Sequence, residues 1–294
     1  MPAEGVPLVD HSEILSFDEI EAFTRAAVIN GVNKVRITGG EPLVRKGITE
    51  LVRRLALIEG ITDLSMTTNG QLLSQYAEEL AKAGLMRINI SLDTTDPARY
   101  RDITRGGDIS KVFEGIEAAK SAGLLPVKLN CVVKKERAEE DAQSVLRFAQ
   151  RSGIEVRFIK MMDLHTGSFG VVDGGDGGDC PRCNRIRLTA TGMAKPCLFN
   201  EKGYSIREHG IREALEMAIK NKPAKGSHND TGKFYHRWIT YQRMIMSEDK
   251  NSRNGKMLTH TDEKGGQIWW MWVINLYRQE RRQQGGGYSS HLTP

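Results

Sequence analysis

Between Phe17 and Met162, five short apolar or β-branched runs alternate with five stretches of helical periodicity, and this alternation sets the class of fold. The strand runs are Lys34–Thr38, Leu64–Thr67, Arg87–Leu92, Val127–Val133 and Glu155–Met161. The helical stretches are Asp18–Asn30, Ile48–Ile58, Leu72–Ala83, Ser110–Ala122 and Glu139–Arg151. Several run into a glycine (Gly31, Gly60, Gly84, Gly123 or Gly153), where the left-handed residue of a helix C-terminal cap belongs. Successive βα units with short connections predict an α/β fold with a parallel sheet and right-handed crossovers.

The strands have two unlike faces. In Arg87–Asp93, Ile88, Ile90 and Leu92 alternate with Arg87, Asn89, Ser91 and Asp93. Lys34, Arg36 and Thr38 share one face of the first run, and Lys128 and Asn130 share one face of the fourth. A closed eight-stranded barrel fills its lumen with apolar layers, and an open doubly wound sheet buries both faces. A polar face repeated over three strands instead predicts a wider, incomplete barrel with a ligand inside.

Beyond Met162 the pattern changes. Gly167–Asp179 holds six glycines and three aspartates and reads as a flexible link. A cysteine-bearing segment comes next, then a helix expected over Ser205–Asn221 and a tail from Asp230 to Pro294. The tail has ten Lys/Arg against six Asp/Glu and all four tryptophans, so four of the chain's five net positive charges lie there. Those charges are scattered, which argues against nucleic acid or a membrane surface and for a divergent or poorly ordered extension. No apolar stretch is long enough to span a bilayer, and Met1–Ser12 lacks a signal-peptide core, so a cytoplasmic, reducing location is expected.

Cys180, Cys183 and Cys197 form a C-x2-C-x13-C group. A structural zinc site needs four ligands, which here would require His165, His209 or Cys131 as the fourth. Three thiolates alone suit an iron–sulfur cluster that leaves one iron open. Arg185 and Arg187 stand two and four residues past Cys183 and would steer an anion toward that iron. Cys131 lies in an apolar run and reads as core.

Three further motifs stand at the carboxyl ends of successive strands, where α/β folds bind ligands: Thr38-Gly-Gly-Glu-Pro42, Thr67-Thr-Asn-Gly70 and Ser91-Leu-Asp93. Each is ordinary turn chemistry alone. Together with Cys-Pro-Arg-Cys-Asn-Arg-Ile-Arg-Leu-Thr189 they resemble the GTP 3′,8-cyclases of molybdenum cofactor biosynthesis, radical S-adenosylmethionine enzymes with two [4Fe–4S] clusters. The resemblance implies an incomplete, six-stranded type of (β/α) barrel, shortened here, with a C-terminal iron–sulfur segment. It implies conversion of GTP to 3′,8-cyclo-7,8-dihydro-GTP, begun by a 5′-deoxyadenosyl radical that takes the ribose 3′ hydrogen.

By the same resemblance, Gly40, Ser91 and Met162 contact S-adenosylmethionine. Arg36, Thr67, Lys128, Arg185 and Arg187 contact GTP, with Arg157 a further candidate, and Cys180, Cys183 and Cys197 hold the auxiliary cluster. No catalytic residue is assigned. It also implies a homodimer and a downstream cyclic pyranopterin monophosphate synthase. The expected division is a partial barrel over 1–166, the link over 167–179, the cluster and GTP segment over 180–229 and the tail over 230–294.

The chain departs from the family pattern in three places. The family's C-x3-C-x2-C motif is missing, and Met1-Pro2-Ala3-Glu4-Gly5 matches the stretch just after its last cysteine, so impaired radical formation is expected. The link replaces a longer segment, and Gly285-Gly286-Gly287 is not terminal. Three other readings stay open: a non-catalytic remnant that binds one cluster and GTP, another radical enzyme with an auxiliary cluster, and a zinc module.

Overall fold

The computed structural model describes residues 10–162, 170–175, 177–199, 202–224 and 272–278. The expected βα alternation is present, with boundaries shifted by one or two residues in most elements. In chain order it runs α1 (Phe17–Ile29), β1 (Val32–Gly39), α2 (Ile48–Ala56), β2 (Asp63–Thr68), α3 (Leu73–Lys82) and β3 (Arg87–Ser91). Helices α4 (Pro97–Thr104) and α5 (Ile109–Ser121), β4 (Lys128–Val133), α6 (Glu140–Ser152) and β5 (Glu155–Lys160) complete the alternating part. The five glycines all have positive φ, from +64° at Gly153 to +98° at Gly84.

Strands β1 to β5 pair in parallel and in sequence order. One face of each of β1 to β4 is apolar and fully buried: Val35 and Ile37, Leu64 and Met66, Ile88 and Ile90, Leu129 and Cys131. These side chains share a core with Phe23, Leu51, Leu55, Leu80, Val112, Ile116 and Val145 from helices α1, α2, α3, α5 and α6. Full burial of each large aliphatic side chain is worth about 1.5–3 kcal/mol, so this face holds the strands in register.

The carboxyl-terminal part adds β6 (Arg185–Thr189), β7 (Met193–Lys195), β8 (Tyr204–Ser205) and α7 (Ile211–Lys220). The helix begins six residues later than expected, because Tyr204 and Ser205 pair with β7 instead. A ninth strand, β9 (Trp272–Arg278), comes from the tail and lies antiparallel to both β1 and β6. Among the described residues the sheet order is β5-β4-β3-β2-β1-β9-β6-β7-β8, with β5 and β8 at its edges, so the sheet does not close on itself, as expected of an incomplete barrel. Of the tail, expected to be divergent or poorly ordered, these seven residues form a strand; Trp269 and Trp270 lie outside the described residues.

The carboxyl-terminal segment is anchored on the opposite end of the chain. Arg207 donates to both carboxylate oxygens of Glu19, at 2.8 and 3.1 Å, and to the Ser12 carbonyl at 2.8 Å. The Leu15 N–H donates to the Ala190 carbonyl at 2.8 Å. Hydrogen bonding from Arg207 holds the Glu19 carboxyl down at about 2, so this anchor is ionised across the neutral range.

A close approach between α5 and the turn after β2 fixes the rim of the sheet. A Cβ at Gly115 would stand 2.8 Å from the Gly70 carbonyl oxygen and 3.0 Å from the Leu73 Cβ. Alanine in mid-helix ordinarily gains about 1 kcal/mol over glycine. Here the clash reverses the sign: Gly115→Ala is expected to lower stability by about 1–3 kcal/mol, measured by denaturant unfolding. A stabilised variant would show that the turn does not sit against α5.

Candidate functional site

The polar faces of the strands fall on the side of the sheet opposite the helix-packed core. Arg187, Asn275, Arg36 and Ser65 are successive register partners across β6, β9, β1 and β2. A second row runs Thr67, Asn89, Lys128 and Glu155, and a third Ser91, Asn130 and Arg157. Parallel and antiparallel partners both project to the same face, so Arg36, Thr67, Lys128, Arg157 and Arg187 share one surface. Arg185, two residues before Arg187 on β6, projects to that face as well.

These groups are held rather than loose. Arg36 Nε donates to Ser65 Oγ at 3.4 Å, and Arg157 Nη1 donates to Asn89 Oδ1 at 3.4 Å. Lys128 is ion-paired with Glu155 across the β4–β5 ladder, with the lysine side chain 17% exposed. Thr67 Oγ1 is buried and has no hydrogen-bond partner among the described residues. A buried hydroxyl without a partner costs about 1–3 kcal/mol, and a ligand acceptor over the sheet would remove that cost.

Gly40 comes directly after β1, Ser91 closes β3 and Met162 lies two residues beyond β5. All three stand at the carboxyl ends of parallel strands, on one rim, Gly40 and Ser91 half-buried. Glu41, next to Gly40, is buried and holds that rim together. One oxygen accepts from the Leu43 N–H at 3.1 Å and from Thr68 Oγ1 at 2.6 Å; the other accepts from the Asn69 N–H at 2.7 Å. The sequence suggested Glu41 only through its place in the Gly-Gly-Glu-Pro turn. Its bridge from β1 to the turn after β2 is a tertiary contact that local spacing does not encode.

The thiols are arranged differently from one another. Cys131 is fully buried, and burial pushes its thiol well above the ordinary range, in keeping with a core role. Cys180, Cys183 and Cys197 are half-buried and free. Among the described residues no three His, Cys, Asp or Glu side chains are close enough to hold a metal ion, so the segment supplies three thiols without gathering them. His209 is exposed, and His165 lies outside the described residues.

Lys222, just beyond α7, ties the two limbs that carry Cys183 and Cys197. Its Nζ donates to the Arg185 carbonyl at 2.7 Å and the Pro196 carbonyl at 2.9 Å, and it lies beside both thiols. Burial pushes the Cys183 thiol up. The Arg185 N–H and the charges of Lys222, Arg187 and Arg185 outweigh it, so the thiol sits below its ordinary range. The donors suit a thiolate-bound group in type and charge, while their spacing does not yet form its cage. Sequence reasoning missed Lys222; it is one of three lysines, with Lys220 and Lys225, at the end of an amphipathic helix, a pattern that reads as ordinary surface.

Residues 5–149 match the family model of the Radical SAM superfamily. That class of α/β enzyme fits the sheet and its polar rim. A GTP 3′,8-cyclase of Alkaliphilus oremlandii is 38% identical over 273 residues, covering 76% of this chain and 85% of the relative. One of Moorella thermoacetica is 39% identical over 278 residues, covering 76% and 86%. The chain belongs to the GTP 3′,8-cyclase family. Among solved structures, Streptococcus suis SuiB bound to its precursor peptide SuiA is 22% identical, with a TM-score of 0.45 over 57% of this chain and 36% of that one.

Glu41 gives the site a pH signature. Burial pushes its carboxyl up to about 7, against the pull of its three donors and from an ordinary value of 4.5. Between pH 4.5 and 7 the folded chain keeps a proton that the unfolded chain has lost. This contribution to stability is therefore full below pH 4.5 and lost as pH rises through 7. Glu41→Gln is expected to flatten that slope. It also turns an N–H2 toward one of the three donors, lowering stability by about 1–3 kcal/mol. Thermal unfolding between mildly acidic and mildly alkaline pH checks both, and an unchanged slope would place the titration elsewhere.

Proposed function

We propose that this chain binds GTP over the polar face of its sheet and serves the conversion of GTP to 3′,8-cyclo-7,8-dihydro-GTP in molybdenum cofactor biosynthesis. The observation that carries this reading is the set Arg36, Thr67, Lys128, Arg157 and Arg187 on one face, with the Thr67 hydroxyl lacking a partner among the described residues. The naming of relatives at 38–39% identity as GTP 3′,8-cyclases supports the choice of nucleotide.

A triphosphate carries several negative charges and many acceptor oxygens. Guanidinium groups match such oxygens with paired donors and stay charged at any working pH. Arg36, Arg157, Arg185 and Arg187 would orient the phosphates and the base. Lys128 would exchange its Glu155 partner for the ligand, and Thr67 Oγ1 would donate to it. Gly40, Ser91 and Met162 on the rim would receive S-adenosylmethionine beside the ribose.

The bound cofactors, S-adenosylmethionine and [4Fe–4S] clusters, would supply the radical chemistry, with Cys180, Cys183 and Cys197 as ligands of the auxiliary cluster. The protein's own share is to fix the ribose and purine in reacting geometry and to keep water out. A cytoplasmic location, a homodimer and a downstream synthase that takes the cyclised product accompany this reading.

A second reading, nucleotide binding without turnover, is favoured by the cysteine count. Of four cysteines, Cys131 is buried in the core and three lie in the carboxyl-terminal segment. These 294 residues by themselves therefore supply thiolates for one cluster and not for a second. Such a chain is expected to form no 5′-deoxyadenosine from S-adenosylmethionine under reducing, anaerobic conditions; formation of that product would overturn this second reading.

The GTP reading is tested by calorimetric titration. Arg187→Ala is expected to weaken GTP binding on the order of 10- to 100-fold, the cost of one or two charge-assisted hydrogen bonds. Affinity of the parent chain is expected to fall steeply with added salt. Equal affinity of variant and parent would contradict the placement of the triphosphate.

A further inference from the structure

We infer that Asn275, on the tail strand β9, is a substrate-contacting residue whose side-chain amide completes the anion cup between Arg36 and Arg187; this rests on the reading that GTP binds the polar face. Neither the cysteine segment nor the strand-end motifs point to this position.

The placement of Asn275 is dictated by register. Ile274 stands opposite Ile37 and Leu188, and Leu276 stands opposite Val35 and Ile186. These two β9 side chains are 3% and 0% exposed and belong to the main core. Asn275 between them must project to the other face, directly opposite Arg36 on one side and Arg187 on the other. A slip of one residue would drive the amide into the core and expose two large aliphatic side chains, so the register is strongly specified.

The chemistry of the neighbours then assigns the amide a task. Asn275 is 7% exposed, and a buried amide offers one carbonyl acceptor and two N–H donors. Guanidinium groups only donate, so Arg36 and Arg187 can satisfy the carbonyl but neither N–H. The diagonal positions on the two flanking strands are Lys34 and Thr38 on β1 and Arg185 and Thr189 on β6. Two of these are cationic donors, and the Thr189 hydroxyl already accepts from the Met193 N–H at 2.9 Å.

Lys34 and Arg185 therefore add donors alone, while the Thr38 and Thr189 hydroxyls can also accept. An acceptor-rich anion suits this cationic neighbourhood, and a nucleoside triphosphate held by the same arginines offers acceptors to the Asn275 N–H donors. In this arrangement the Asn275 carbonyl fixes the two guanidinium planes and its N–H2 donates to the ligand. The tail strand is then part of the site, because it joins Arg187 of the cysteine segment and Arg36 of the alternating part in one row, with Asn275 between them.

The test compares the parent chain, Asn275→Ala and Asn275→Asp by GTP titration and thermal unfolding. Asn275→Ala is expected to weaken GTP binding on the order of tenfold. Asn275→Asp places a carboxylate between two guanidinium groups. It is expected to raise the melting temperature while weakening GTP binding by more than Asn275→Ala does. A purely structural role would move stability and affinity in the same direction. The aspartate variant also keeps the inference falsifiable if the alanine variant does not fold. Tight GTP binding by the parent with unchanged affinity in the variants overturns the inference. Absence of GTP binding by the parent overturns the reading on which it rests.

Discussion

Burial of one face of the sheet is what allows the other to be charged. Val35, Ile37, Leu64, Met66, Ile88, Ile90 and Leu129 are withdrawn from water beneath the crossover helices. Because side chains alternate with period two, that packing obliges Arg36, Ser65, Thr67, Asn89, Lys128, Asn130 and Arg157 to project together on the reverse side. Loss of register in any strand would exchange an aliphatic side chain for a guanidinium or amide in the core, a penalty of several kcal/mol for an unpaired polar group. The positions of the cationic groups are thus enforced by apolar packing on the far side of the sheet, not by contacts among themselves.

Strand β9 extends this logic to the carboxyl-terminal segment. Its two aliphatic side chains continue the core across from β1 to β6, and its backbone supplies the ladder that joins them. The Arg207–Glu19 pair and the Leu15–Ala190 hydrogen bond fix the same two parts from outside the sheet. Lys222 in turn holds the limbs bearing Cys183 and Cys197 to the base of β6. Together these contacts bring arginines that are far apart in sequence, Arg36 and Arg187, into one row.

Much of this was legible before the fold was known, and for a physical reason. The βα alternation, the glycines at helix ends and the two-faced strands are local signals, each written within a single helix or strand. The motifs at the ends of β1, β2 and β3 were legible as ligand-binding turns once parallel topology was expected. Helix α4 was missed because Pro97 reads as turn punctuation, although Asp96 caps its first turn at the Arg99 N–H. Strand β9 was missed because the tail was judged by composition. Val273-Ile-Asn-Leu-Tyr277 is a short apolar, β-branched run with one polar position, a signal that charge counts conceal. The roles of Glu41 and Lys222 were hidden because their partners lie far away in sequence or on backbone carbonyls. The spacing of the thiols is likewise tertiary, and a C-x2-C-x13-C pattern specifies ligand type without specifying that three sulfurs meet.

The polar face of the sheet as the nucleotide site is the claim on which the rest turns. Photolabelling with 8-azidoguanosine triphosphate and mapping of the labelled peptides tests it most directly. The account predicts label on peptides containing β1, β4, β6 and β9, suppressed by excess GTP. Label confined to the helical face, or label that GTP does not suppress, would contradict it.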